Sequence, residues 1–95
     1  MIEKFVKGIQ KINSKRWRMV AGGYCASTYF KKHYVVIDNH GKCYVDGKKE
    51  ALYLFGFEDK IAILFNRVSE WHAEHDGERR LRETEEIVNK IMEGS

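Results

Sequence analysis

The chain has 95 residues, enough for one domain with one modest core. Its 43% hydrophobic and 13% aromatic content argue against a disordered chain, and no run approaches the roughly 18 apolar residues of a membrane helix. The net charge of +3 conceals an asymmetry. Residues 1–49 carry eleven basic and three acidic side chains, a net of +8, and residues 50–95 carry six and eleven, a net of −5.

The opening Met-Ile-Glu-Lys-Phe-Val-Lys has neither the apolar stretch nor the cleavage site of a signal peptide, so a cytoplasmic protein is expected. In that compartment Cys25 and Cys43 read as reduced, small hydrophobes; there is no C-x-x-C.

Residues 2–15 predict an amphipathic helix, with Ile2, Phe5, Val6, Ile9 and Ile12 at helical spacing. Lys4, Lys7, Lys11 and Lys15 form a row on its opposite face, either a solvated surface or a cationic rail for phosphates. Gly8 interrupts this helix at a cost of about 1 kcal/mol. Arg16 to Ala21 reads as a first strand, since Trp17 and Met19 alternate and the apolar stripe breaks after Ile12. The competing reading runs the helix on and ends it at Gly22.

From Thr28 to Asp38 the β-branched and aromatic density predicts a strand, bent or edge-like where Lys31-Lys32-His33 interrupts it. Asn39-His40-Gly41 suits a hairpin with Gly41 in the left-handed conformation. That register sets Ile37 opposite Cys43 and Val35 opposite Val45, an aliphatic face shared with Leu52 and Leu54 of a further strand. The other face then holds Tyr34, Val36, Tyr44, Tyr53 and Phe55.

Glu58 to His75 predicts a helix through Ile61, Leu64, Phe65, Val68, Trp71 and His72. Asp76-Gly77 suggests a break, followed by a second helix with Leu81, Val88, Ile91 and Met92 turned inward. The expected fold is therefore α+β: an N-terminal helix, an antiparallel three- to four-stranded meander and two C-terminal helices packed on the sheet. With Gly47-Lys48-Lys49-Glu50-Ala51 after the third strand, the α-β-β-β-α order resembles a double-stranded-RNA-binding domain in outline. The further lysine and the alanine-rich helix of that family are missing, and no residue role is carried over.

No constellation predicts catalysis. His72 and His75 share a helix face but lack further ligands, so no metal and no cofactor are expected. Cys43 is predicted to face the aliphatic layer, where a thiol is inert. The most informative cluster is basic and aromatic: Arg16, Arg18, Lys31 and Lys32 interleave with Trp17, Tyr24, Tyr29, Phe30 and Tyr34. Two readings follow. In the first, a small non-catalytic binding or regulatory protein acts by surface occlusion. Lys4, Lys7, Lys11, Lys15, Arg16, Arg18, Lys31 and Lys32 face nucleic acid, a nucleic-acid-handling complex or an acidic protein surface. In the second, the chain is a protein-interaction module, an inhibitor or adaptor of the kind phages encode. It would self-associate as a homodimer through Tyr34, Tyr44 and Tyr53. Neither reading involves a membrane.

Overall fold

The computed structural model describes residues 1–47, 54 and 56–94. The chain begins with helix α1 (Ile2–Gln10) and continues through four strands, β1 (Arg18–Val20), β2 (Cys25–Phe30), β3 (His33–Asp38) and β4 (Cys43–Val45). It ends in one long helix, α2 (Glu58–Glu93). The strands form one antiparallel sheet in the order β1-β2-β3-β4, so the fold is the α+β meander expected.

The amphipathic helix at the N-terminus is shorter than its periodicity predicts. It stops at Gln10, because Asn13 turns extended and its side-chain oxygen accepts the Lys15 N–H at 2.9 Å, which starts a separate 3-10 turn over Ser14–Arg16. This break lets Trp17 enter the core, where it is 1% exposed and its indole Nε1 has no hydrogen-bond partner among the described residues. The exposed carbonyls at the break are taken up by α2. Arg67 donates to Gln10 O and Ile12 O at 2.9 and 3.0 Å, and His72 Nε2 donates to Ser14 O at 3.0 Å. Gly8 also has a reason to be glycine. A Cβ there would collide with the Phe30 ring, which packs edge-on against Phe5.

Arg16 to Ala21 does contain a strand, β1. The stretch from Thr28 to Asp38 is two strands rather than one. Lys31 and Lys32, with φ of 48° and 70°, form a tight left-handed turn between β2 and β3. No glycine or asparagine marks it, so the polar trio reads as a bend in the sequence and is a hairpin in the structure. The next hairpin follows expectation. Ile37 pairs with Cys43 and Val35 with Val45, Gly41 has φ of 83°, and Asp38 Oδ1 accepts the His40 and Lys42 N–H groups at 2.9 and 3.0 Å. A Cβ on Gly41 would collide with the Glu58 backbone, so this turn also sets where α2 starts.

Register assigns the two faces of the sheet. Met19, Ala26, Ile37 and Cys43 lie in line on one face, followed by Thr28, Val35 and Val45. That face packs with Val6 and Ile9 of α1 and Ile61, Leu64, Phe65 and Val68 of α2 in a single core, joined by Leu54 and Trp17. Leu52, Tyr53 and Phe55, expected in a further strand, lie outside the described residues.

The two C-terminal helices are joined. α2 runs unbroken through Gly77 for 36 residues, about 54 Å, along a molecule 62 Å in its longest dimension. Only its first half packs on the sheet. Leu81, Val88, Ile91 and Met92, expected to face inward, are 50–70% exposed, because a continuous helix carries them past the end of the sheet. No helix among the described residues is long and apolar enough to cross a membrane.

Candidate nucleic-acid interface

Both helices occupy the Ile37 face, so the opposite face is uncovered by any described helix. Register places Arg18, Ser27, Val36 and Tyr44 in line across it, with Tyr29 beside Tyr34 in the neighbouring row. Tyr29 and Tyr34 pair with ring centroids 5.2 Å apart and planes 52° apart. Tyr29 remains 70% exposed. Arg16, Arg18, Val20, Ser27, Tyr29 and Tyr34 line a groove of about 450 Å³ on this side.

The local sequence explains the construction. Thr28, on the core side of β2, donates its hydroxyl to Arg16 O at 3.1 Å and fixes the segment that leads into β1. Arg18 then falls on the outer face by strand alternation, opposite Ser27. The Lys31–Lys32 turn folds β3 back so that Tyr34 meets Tyr29. At the same end His33 Nδ1 lies 2.7 Å from Asp46 Oδ2, and Asp46 Oδ1 accepts the Tyr34 N–H at 3.0 Å, which anchors the start of β3.

The eight basic residues singled out from the sequence fall into separate places. Arg16 and Arg18 share the groove with the tyrosine pair. Lys4, Lys7 and Lys11 lie on or just after α1, in the helical layer on the other side of the sheet. Lys7 pairs with Glu3 at 3.2 Å. Lys15 leaves the helical row because α1 ends before it. Lys31 Nζ sits 5.4 Å from the Phe30 ring centre, and with Lys4 it flanks a second, more apolar groove lined by Ile2, Phe5, Phe30 and Val45. Lys32 is exposed at the turn tip. Of the three tyrosines, Tyr34 and Tyr44 lie half-buried on the outer face, and Tyr53 lies outside the described residues. Tyr29, absent from that set, is the more exposed member of the pair; its signal was the hidden hairpin.

The remaining chemistry-bearing groups have structural surroundings. His75 Nδ1 donates to Trp71 O at 2.8 Å, and its ring stacks on Trp71 with centroids 3.7 Å apart. Among the described residues no group of three His, Cys, Asp or Glu side chains converges as a metal site. The two thiols lie on opposite faces of the sheet. Burial, and then the nearby Asp38 charge, push the Cys43 thiol up to about 11; the same causes raise Cys25. Both are therefore poor nucleophiles at neutral pH.

Compared with protein-family models, curated proteins and solved structures, the chain matches none.

Proposed function

We propose that the sheet face that no described helix covers binds single-stranded nucleic acid without a chemical step. The observation that carries this reading is that Arg16, Arg18, Tyr29 and Tyr34 line one groove. A single strand needs an aromatic platform for its bases and cations for its phosphates, and this face supplies both within reach of each other. A duplex fits less well, because the α1 lysines that would extend the contact belong to the opposite layer. Binding of this kind reads base stacking more than base identity and blocks access to the strand it covers.

The test is a fluorescence titration of single- and double-stranded DNA and RNA oligonucleotides at several salt concentrations. Counterion release makes the logarithm of affinity fall with the logarithm of salt by about 0.7 per phosphate contacted on a single strand. Replacing Arg16 and Arg18 with alanine should lower that slope by about one to two units. No measurable binding of either strand type at low salt sinks the proposal.

A second reading rests on the exposure of Tyr29, 70%, since exposed tyrosines offer large contact area at low entropic cost. Here the occupant of the same face is an acidic protein surface. Its mark is a stoichiometric partner retained after nuclease treatment and lost with Arg16 and Arg18.

A further inference from the structure

The second half of α2 has an apolar face that no described residue of its own domain covers. Leu81, Ile87, Val88 and Ile91 are each half or more exposed. At 3.6 residues per turn, Leu81, Val88 and Ile91 point roughly 180° away from Ile61, Leu64, Phe65 and Val68, which face the sheet. The stripe is therefore not a continuation of the core-facing side. Within an unbroken helix no twist brings it back to its own sheet.

A partner would also stabilise this arm. Residues 81–94 are all exposed, about four turns beyond the body. A helix of that length without tertiary packing is marginal in water. The charges Arg82, Glu83, Glu86 and Lys90 lie at the positions that avoid the stripe, leaving Leu81, Thr84, Val88 and Ile91 at alternating three- and four-residue spacing, the seam of a two-helix coil.

We propose that a second copy of this chain covers the stripe, and that the two arms pair antiparallel. A two-fold axis near Thr84–Val88 aligns Leu81 of each copy with Ile91 of the other and Thr84 with Val88. Because the stripe faces away from the sheet, the two bodies stay on the outside of the pair and do not collide. The parallel arrangement is disfavoured by charge. Glu70 and Glu74 lie on the same side of α2 as the stripe, and parallel helices would set each against its own copy. In the antiparallel register the glutamates of the two copies lie at opposite ends of the pair. Two such stripes bury on the order of 1,000 Å² in total, the lower edge of a specific interface, so the dimer is reversible. This pairing holds whether or not the sheet face binds nucleic acid.

Sedimentation equilibrium from about 5 to 300 μM tests it. The average mass should rise from one chain toward two across that range. Replacing Leu81, Val88 and Ile91 together with serine should hold it at one chain throughout, while the thermal transition of the body is unchanged. A single-chain mass for the unaltered protein at every concentration overturns the proposal, as does a dimer undiminished by the triple change. Orientation is read by disulfide trapping in a Cys25→Ser background. Mixed chains carrying Leu81→Cys and Ile91→Cys should cross-link to each other. Cross-linking of Leu81→Cys chains to themselves in preference overturns the antiparallel register.

Discussion

The two faces of this sheet are built from the same strands, one residue out of step, and they have opposite fates. Ile37 is fully buried under both helices, whereas its neighbour Val36 is half-buried beside Tyr44 on the side no described helix covers. The first face holds the domain together. The second buries less apolar surface: Tyr29 is 70% exposed there, and Val36, Tyr34 and Tyr44 are half-buried. Separating stability from binding in this way makes the comparison testable one residue at a time. The largest expected effect is on the buried side. Ile37→Ala should cost about 2–5 kcal/mol in a denaturant titration, the usual range for truncating a fully buried isoleucine. Val36→Ala should cost clearly less. Equal losses would mean that the outer face is as tightly covered as the inner one.

The next effect in size is on binding. Tyr29→Ala should weaken single-strand affinity by about 1–3 kcal/mol, the range for losing one base–aromatic stack. Its effect on unfolding should stay within about 0.5 kcal/mol, because the ring is largely in solvent. A loss of stability matching the loss of affinity would make Tyr29 a packing residue and remove the platform.

How much of this contrast was legible in the sequence depended on the turn that set each register. Asn39-His40-Gly41 is explicit: glycine supplies the left-handed residue, and the pairing of Ile37 with Cys43 follows from counting. The Lys31–Lys32 turn has no such marker. Two lysines take positive φ at the tip of a hairpin that pairs Thr28 with Val35 and Ala26 with Ile37, a pairing that no turn residue in the sequence announces. Tyr29 consequently could not be placed next to Tyr34. The same limit applies to Gly77. A glycine after an aspartate is a good local stop signal, yet about 1 kcal/mol of helix propensity is small enough for the surrounding helix to run through it. The basic half was legible as composition but not as a surface, because composition does not say that Arg18 and the α1 lysines lie on opposite sides of a sheet.

The cysteines sharpen the comparison chemically, since one sits on each face. Cys43 faces the core and Cys25 is half-buried on the outer side. At pH 8 a thiol titrating near 11 carries about one thiolate in a thousand, so iodoacetamide should modify Cys25 first and Cys43 only as the protein unfolds. The sign of the stability effect follows from the same shift. The unfolded chain's thiol ionises at its ordinary value of 9.0, while the folded one keeps its proton to about 11. This contribution to stability is therefore whole below pH 9 and is lost as pH rises through 11. Cys43→Ser should change the pH dependence in that window. An unchanged profile would show that Cys43 is more hydrated than its burial implies.

The smallest effect expected is at Lys7. Its ion pair with Glu3 is exposed and spaced i, i+4, so Lys7→Ala should change stability by no more than about 0.5 kcal/mol. Its value lies in where it sits, on a helix in the layer opposite the groove. If single strands lie on the sheet face, Lys7→Ala leaves the salt dependence of binding within error, whereas Arg18→Ala lowers the slope by about 0.7. If instead Lys7→Ala lowers the slope as much as Arg18→Ala does, the strand runs along α1, and the cationic row of the helix, not the tyrosine groove, is the binding surface.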